Sequence, residues 1–563
     1  MSADVQRSRS FLREAAVLTV ANFAIKIIGV LYKIPLTNIL GNSIGIFNAA
    51  YSIYAMLFML STSGLPVAVS RMVAASNELG RGHEVKRLSF LATAIFGVVG
   101  FVFALLLIIF APAVAAGTGH TESAAAMRAI APSLFFVCVC ASVRGYFQGL
   151  RDMYPTAISQ FIEAFFKLTV GLGACMYAAK QGASAAVQAA CAISGVSVGT
   201  FFGMVFILVC RRVSKKTVPN MTDKRCRSDK KLVRAMLLVA LPVTLTAAAL
   251  YFSQFLDTLI IVNALTGYGE STETAQRLYS AYTGLSVPIY DLLPSTLVFP
   301  IATSILPAVS GALAADDRRR AKRLTVQAIR LSGIIAIPCG VLLLVAGRRC
   351  ITLLYGASRW LEPVAMKNGG EAIPLDAASV SLSLLGFAVF FISIVSTCNS
   401  LLNARKRAHL PFIAVLAGVA VLVITEASLL HTPVGIYAAP ISSVACYAVC
   451  MVLDIYFLRR CCGIKLHFLT MFRRPLLCGG VSAASTFIVY RIAVAISGNA
   501  AERVASFFIL LVTGITLVIS YCGTILLFRG IRESEVRLLP KGNFIADKLI
   551  KRGWLAPERS KQA

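Results

Sequence analysis

Apolar residues occur in long runs along this chain, separated by short polar segments. A helix needs roughly 20 apolar residues to cross a bilayer, and fourteen runs come close to that length or exceed it. The predicted spans are 14–35, 44–68, 88–113, 127–148, 156–179, 185–210, 233–257, 277–307, 324–346, 376–402, 410–430, 434–458, 475–495 and 504–528. The pattern therefore predicts an all-α integral membrane protein with about fourteen transmembrane helices.

The composition and the placement of charge support a multi-pass membrane protein. Hydrophobic residues make up 58% of the chain and charged residues 14%, whereas soluble domains usually contain about 25% charged residues. The net charge is +29, and most of the 54 Lys and Arg residues lie in alternate segments between spans and at the termini. This asymmetry is typical of the positive-inside rule. We therefore expect a cytoplasmic-membrane protein with both termini cytoplasmic, in contact with membrane lipids and without a nucleic-acid partner.

Cysteine and histidine are scattered along the chain. The fifteen cysteines fall mostly within spans, and no CxxC pair occurs among them. The five histidines are far apart, which argues against a structural zinc site. The sequence predicts no cofactor, and it leaves coupling to Na⁺, H⁺ or the membrane potential open.

Two halves of the chain resemble each other. Residues 60–70 read LSTSGLPVAVS and residues 301–310 read IATSILPAVS, and Lys-Arg-Leu follows each after a short polar loop. Parallel six-helix repeats imply lobes related by an axis along the membrane normal, which can rock around a site at their interface. The alternative is that the two loop ends look alike because proline and basic residues favour such positions, without an internal repeat. The predicted domains are an N-lobe (1–210), a basic cytoplasmic linker (211–232), a C-lobe (233–460), two further helices (461–528) and a basic cytoplasmic tail (529–563).

The eighth predicted span is rich in proline and contains an acid. Pro288, Pro294 and Pro300 each remove a backbone donor, which costs about 3 kcal/mol in an ordinary helix, and Asp291 lies between the first two. In a membrane, such breaks persist where neighbouring helices or a water-filled cavity satisfy the freed carbonyls. The span is therefore predicted to be a gating element that lines a path.

A few charged residues fall inside predicted spans, where each costs about 2.5–3.5 kcal/mol on insertion scales. Lys26 lies midway through the first span and is a candidate cavity cation, with snorkelling to the interface as the alternative. Glu163 and Lys167 are spaced to pair on one helix face, either as a coupling element or as a pair that only makes both charges tolerable. Asp257, near the outer end of the seventh span, is either a coupling acid or an interfacial residue.

Further cations lie near span ends. Lys33, Arg71 and Arg144 are candidates to bind a diphosphate, for which the arginine fork is well suited. Positive-inside topology alone also places arginines at such positions. In the sixth span, Gly195, Gly199 and Gly203 form two GxxxG steps, which indicate close helix packing.

The tail after the last span contains apolar residues at near-helical spacing among basic residues. Phe544, Ile545, Leu549, Ile550 and Trp554 follow this pattern. An interfacial helix on the cytoplasmic leaflet and an ordinary solvated tail both fit it.

Three segments together resemble a known superfamily. They are the span end Gly64-Leu65-Pro66, residues 145–155 (GYFQGLRDMYP) with the TAISQFIE that follows, and residues 282–310. The whole chain resembles polysaccharide exporters, and within them the group of stage V sporulation protein B and the Gram-positive MurJ-type lipid II flippases. The resemblance implies two six-helix lobes in pseudo-two-fold repeat around a cationic cavity, with two C-terminal helices forming a groove for a lipid tail. It also implies export of an undecaprenyl-pyrophosphate-linked saccharide, possible cell-wall synthesis partners and no enzymatic activity.

The chain departs from the Gram-negative MurJ pattern in its charges. Lys26, Tyr32 and Lys33 replace arginine-rich span ends, and Asp291 has no arginine one turn before it. A related lipid-linked glycan is therefore an alternative to lipid II. The other hypotheses are a drug/cation antiporter of the same superfamily, a membrane-embedded polyprenyl-handling enzyme and a non-transporting scaffold.

Overall fold

The structure is a computed structural model, and it is helical almost throughout. It describes residues 21, 24–150, 152–213, 227–299, 309, 312–313, 316–367, 370–405, 407, 409–463, 468–497, 502–536 and 542–555. Twelve helical stretches in this part of the chain are long and apolar enough to cross a membrane. The predicted all-α membrane fold is therefore confirmed.

The helices are numbered in chain order. The first eight are α1 (24–40), α2 (Ile44–Thr62), α3 (Leu65–Glu78), α4 (Gly82–Gly117), α5 (Ala124–Gly149), α6 (Tyr154–Lys180), α7 (Ala185–Val213) and α8 (Asp229–Tyr268). The remaining nine are α9 (272–299), α10 (Arg318–Tyr355), α11 (Pro374–Ala404), α12 (His409–Leu429), α13 (Ala438–Cys462), α14 (Phe468–Ser497), α15 (Glu502–Leu527), α16 (Glu533–Val536) and α17 (Gly542–Lys551). A short antiparallel ladder joins β1 (Val364–Ala365) and β2 (Glu371–Ala372) between α10 and α11.

The predicted spans correspond closely to these helices. The second predicted span and residues 24–35 of the first fall in the helical stretch Ala24–Glu78, which comprises α1, α2 and α3. Residues 14–20, 22 and 23 of the first predicted span lie outside the described part of the chain. The eighth begins as α9 and then enters residues outside the described part of the chain. These two cases account for the difference between fourteen predicted spans and twelve observed stretches.

The chain forms two compact units. Unit 1 comprises Met1–Thr266 and Ala275–Ser280, and unit 2 comprises Gly267–Thr274 and Ala281–Ala563. Nearly all of α8, which the sequence assigned to the C-lobe, belongs to unit 1. The predicted domain boundaries and the pseudo-two-fold repeat stay predictions.

In unit 1, α5 packs against α2, α3, α4 and α7. The glycines of the GYFQG sequence lie where α5 meets α3. A Cβ on Gly145 would lie 2.9 Å from Pro66 Cα, and one on Gly149 would lie 2.7 Å from Val73 Cβ. Since real Cβ atoms do not approach so closely, both positions require glycine for this backbone contact.

Helix α7 packs against α6 through the predicted GxxxG face. A Cβ on Gly199 would lie 2.5 Å from the carbonyl oxygen of Glu163, and one on Gly195 would clash with Gly171 on α6. Gly203 continues the same face against the Glu163 side chain. The predicted close packing by small residues is confirmed.

The proline-rich helix α9 contains two π-helical turns instead of a loop break. Tyr282–Ser286 form the first turn and Pro294–Val298 the second, with the α-helical turns of Val287–Leu293 between them. Pro288 lies at the start of that middle segment, and Pro294 begins the second π turn. Such turns absorb a disturbed hydrogen-bond ladder and are frequent at functional sites. Pro300 lies outside the described residues.

Candidate functional site

Aromatic side chains follow one face of α2. Phe47, Tyr51, Tyr54 and Phe58 are spaced by four, three and four residues, which places them on the same side of a helix. The rings of Phe47 and Tyr51 are stacked at 5.8 Å and 10°. The next two ring pairs along the stripe have centroids 5.7 Å apart. Helix α2 therefore presents a continuous aromatic surface within unit 1.

Lys33 of α1 places its ammonium group on this surface. Its Nζ lies 5.0 Å from the centroid of Phe47 and donates a hydrogen bond of 2.6 Å to Asn48 Oδ1. The side chain is half-buried. A cation over a ring face is stabilised by about 0.5–1 kcal/mol when exposed, and by about 2 kcal/mol or more when desolvated.

Lys167 of α6 approaches the same surface from another helix. Its Nζ lies 4.9 Å from the ring centroid of Tyr32 and 5.1 Å from that of Tyr51. Tyr32 is buried, and its hydroxyl donates a 2.9 Å hydrogen bond to the carbonyl of Ala192. A π-helical turn, Lys167–Leu172, begins at this lysine and changes the direction of the residues that follow it.

These five residues form a lysine–aromatic cluster: Tyr32, Lys33, Phe47, Tyr51 and Lys167. The rings that the two ammonium groups contact, Phe47 for Lys33 and Tyr51 for Lys167, are stacked on each other. In the described part of the chain, neither ammonium group forms an ion pair with a carboxylate. The cluster is therefore a half-buried site of uncompensated positive charge with aromatic walls, which suits an anion that also carries rings or apolar groups.

The other predicted cavity cations lie around this cluster in different ways. Lys26 is seven residues before Lys33 on α1, so the two share a helix face, and it is half-buried. Arg71 lies on α3 and is exposed. The structure thus brings Lys33 and Lys167 together, places Lys26 on the same face two turns away, and leaves Arg71 at the surface.

Arg144 forms a buried ion pair with Glu163. Arg144 Nη2 lies 2.6 Å from Glu163 Oε1, and the two side chains are only 10% and 18% exposed. Arg144 Nε also donates a 3.0 Å hydrogen bond to Ser159 Oγ. The prediction from the i, i+4 spacing that Glu163 pairs with Lys167 is therefore wrong. The carboxylate bonds to an arginine of α5, which leaves Lys167 to the aromatic rings.

Gly203 of α7 makes room for the Glu163 side chain. A Cβ at position 203 would lie 2.7 Å from Glu163 Cγ and 2.9 Å from Oε1. Gly203→Ala is expected to displace the carboxylate from Arg144 and to destabilise the protein by about 1–3 kcal/mol, as overpacking usually does. Thermal unfolding in detergent measures the loss. Gly173→Ala is the matched control, because its Cβ would meet no atom within 4 Å; equal effects of both variants would contradict a steric role for Gly203.

The predicted gating residues fall in both units. Asp257 lies on α8 in unit 1 and is half-buried. Asp291 lies on α9 in unit 2, with an exposed side chain between Pro288 and Pro294. Glu163, in unit 1, lies one helical turn before Lys167 of the lysine–aromatic cluster. The roles of these acids and prolines in coupling or gating stay predictions.

Sequence reasoning did not assign Phe47, Asn48 and Tyr51 to the site. Their signal is the aromatic spacing on α2, which is visible in the sequence but is equally typical of ordinary core packing. The two lysines from α1 and α6 distinguish these residues from ordinary core residues. The lysines reach the rings only through tertiary packing of the three helices.

The fold is that of transporters of the MOP superfamily. The chain superposes on a solved structure of the lipid II flippase MurJ in an inward closed conformation, with a TM-score of 0.65, 15% identity and coverage of 91% of this chain and 99% of that one. An inward-facing multidrug resistance MATE family transporter of the MOP superfamily gives a TM-score of 0.62, 13% identity and coverage of 78% and 94%. These likenesses establish the fold alone.

Sequence comparison identifies the family. A family model described as polysaccharide biosynthesis protein matches residues 11–312, more than half of the chain, which therefore belongs to this family. It is similar to the uncharacterized membrane protein YabM of Bacillus subtilis (strain 168), with 28% identity over 450 residues and 79% of each chain covered. Stage V sporulation protein B of the same organism is 25% identical over 424 residues, 72% of this chain and 78% of the relative. Its lipid II flippase MurJ is 23% identical over 385 residues, 64% and 70% of the two chains. The predicted resemblance is confirmed.

Proposed function

We propose that this protein is a flippase that moves an undecaprenyl-pyrophosphate-linked saccharide from the inner to the outer leaflet by alternating access. Its substrate is lipid II or a related precursor of the cell wall or of a surface polysaccharide. The protein acts as a transporter and not as an enzyme. The kinship with stage V sporulation protein B and lipid II flippase MurJ supports this substrate class.

The observation that carries the proposal is the lysine–aromatic cluster. A lysine ammonium has three hydrogen-bond donors. Lys33 uses one of them on Asn48, and the contacts of Lys167 among the described residues are with ring faces. Donors thus remain available for the oxygens of a pyrophosphate, and Lys26 adds positive charge on the same face of α1.

The aromatic rings have a second role in this proposal. They hold the ammonium groups in a membrane-embedded unit without a carboxylate, which would neutralise the charge needed for an anion. Tyr51 is also the most exposed ring of the cluster, and a ring face of this kind stacks against sugar. The rings therefore recognise the saccharide while the lysines recognise the pyrophosphate.

The same charges disfavour the drug/cation antiporter. A site for an organic cation requires an acid that is not already neutralised. Glu163, the acid nearest the cluster on α6, is ion-paired with Arg144. An organic cation at Lys33 and Lys167 would meet two like charges.

The remaining acids and prolines provide the proposed coupling and gating. A membrane potential that is positive outside favours the anionic headgroup on the outer side and opposes its return. Positive charge of the cavity that moves together with the headgroup offsets this effect. Each charge that crosses changes the free energy by about 2.3 kcal/mol per 100 mV. Glu163, Asp257 and Asp291 are the proposed groups for coupling to H⁺, Na⁺ or the potential. The π turns of α9 around Pro288 and Pro294, together with Pro300, supply the proposed bending element.

Reconstitution tests the proposal. Proteoliposomes containing the purified protein and lipid II, or another undecaprenyl-pyrophosphate-linked saccharide, are expected to expose the headgroup on the opposite leaflet. A membrane-impermeant enzyme or label that modifies only exposed headgroups measures the rate. Proteoliposomes without protein are the control. Ion-driven uptake of a cationic dye without headgroup translocation would overturn the proposal in favour of the antiporter.

A further inference from the structure

The C-terminal segment after the last span folds into a small structure of its own. Helix α17 packs on α16 through Val536, Ala546 and Leu555, which are all buried. Ile531, Leu549 and Ile550 pack against this core. We call residues 531–536 with 542–555 the tail module.

A buried ion pair fixes the tail module to unit 2. Glu535 Oε1 of α16 lies 2.7 Å from Arg330 Nε of α10, and the side chains are 1% and 8% exposed. Arg330 Nη2 also donates a 2.8 Å hydrogen bond to the carbonyl of Gly530, and Glu535 accepts a 2.9 Å hydrogen bond from the backbone of Arg532. The module therefore has a defined position on its transmembrane scaffold.

The outward face of the tail module combines large aromatic rings with cations. Phe544 and Trp554 are 70% and 55% exposed. Lys548 Nζ lies 6.0 Å from the ring centroid of Phe544, and the Arg552 guanidinium lies 5.5 Å from that of Trp554. Lys551 is seven residues after Phe544 and shares its face of α17. Packing within unit 2 uses the opposite face, so the fold itself does not account for the exposure of these rings.

The chemistry of this face matches an anionic lipid surface. Tryptophan and phenylalanine partition into the boundary between headgroups and acyl chains, and lysine and arginine near an anionic leaflet are attracted to its surface. The module is also close to the bilayer, because α15 ends at Leu527 and α16 begins at Glu533. A connection of that length spans at most about 20 Å when fully extended.

We propose that the tail module is a docking site for the anionic phospholipid headgroups of the adjacent leaflet. In this arrangement Phe544 and Trp554 insert among the headgroups, while Lys548, Lys551 and Arg552 contact the phosphates. The inference is independent of the transported substrate, because it concerns bulk lipid at a surface remote in sequence from the lysine–aromatic cluster.

Tryptophan fluorescence in nanodiscs tests the docking site. The chain has two tryptophans, and the difference between wild type and Trp554→Phe isolates the emission of Trp554 without altering the buried Trp360. Lipids brominated near the headgroup are expected to quench this emission at least about twofold more in nanodiscs of phosphatidylcholine with phosphatidylglycerol than in phosphatidylcholine alone. Raising the salt to about 1 M should remove the difference, because it shortens the Debye length from about 10 Å to about 3 Å.

Matched variants separate binding of anionic headgroups from a general effect of lost surface charge. Lys548→Gln/Lys551→Gln/Arg552→Gln should abolish the dependence on phosphatidylglycerol, whereas Arg318→Gln/Arg319→Gln/Arg320→Gln, an equal loss of exposed charge at the start of α10, should preserve it. Both triple variants must retain the wild-type melting temperature. Equal quenching in the two lipid compositions would overturn recognition of anionic headgroups. An unquenched Trp554 would overturn membrane docking altogether and favour a protein partner for this face.

Discussion

Substituting Lys167 by methionine is expected to lower the rate of headgroup translocation in proteoliposomes by about 10- to 100-fold. Methionine preserves most of the packing against Tyr32 and Tyr51 but removes the ammonium group. Hydrogen bonds to charged groups contribute about 1.5–3 kcal/mol, and each 1.4 kcal/mol is a factor of about ten. The loss of translocation rate should be measured with a lipid-linked pyrophosphate as the substrate. In cells, the same variant should fail to support growth of a strain depleted of its lipid II flippase.

Two variants of the same helix make this result interpretable. Lys180→Met removes an exposed lysine at the end of α6 and should leave translocation unchanged. Lys167→Arg retains the charge and should restore part of the activity. Wild-type translocation by Lys167→Met, with the protein correctly inserted, would show that the lysine–aromatic cluster is a packing feature of unit 1 and not a substrate site.

Breaking the Arg144–Glu163 pair is expected to have the largest effect on stability. Glu163→Met leaves the Arg144 guanidinium buried with Ser159 as its described hydrogen-bond partner. Loss of one partner of a buried ion pair costs about 3–5 kcal/mol, which should be measurable as a lower free energy of unfolding in mixed micelles. Glu122→Met, which removes an exposed acid in the short turn before α5, is the control and should change little.

The double variant Arg144→Met/Glu163→Met separates stability from mechanism. Replacing both charges by apolar groups of similar size is often neutral or stabilising, so the double variant should recover most of the stability lost in Glu163→Met. If Glu163 acts in coupling, the double variant will be stable but slow in translocation. A double variant that is both stable and fully active would restrict the pair to a structural role.

Much of the architecture followed from the order of apolar and polar residues. Burial in lipid requires each span to satisfy its own backbone, so long apolar runs have helix as their stable form, and their count predicted the fold. The small-residue spacing of Gly195, Gly199 and Gly203 likewise predicted the contact of α7 with α6. In both cases the information is local, because it depends on residues within one helix.

The π turns show where local information ends. The prolines of α9 marked a disturbed helix correctly, since each one removes a hydrogen bond wherever it is placed. The π turn that begins at Lys167 has no such marker in the sequence. It occurs where Gly171 of α6 is in close contact with α7, so its signal lies in the partner helix.

The pattern along the chain thus specified the helical membrane-spanning architecture, the small-residue contact and the cost of each intramembrane charge. Which groups meet was decided only by the packing of helices distant in sequence. Glu163 had a partner available one turn away in Lys167, but α5 brings Arg144 to it, and the planar guanidinium bonds Ser159 as well as the carboxylate. Lys167 is then left to the rings of α1 and α2. Charge pairing within the membrane depends on distances across helices, and those distances do not exist until the helices have packed.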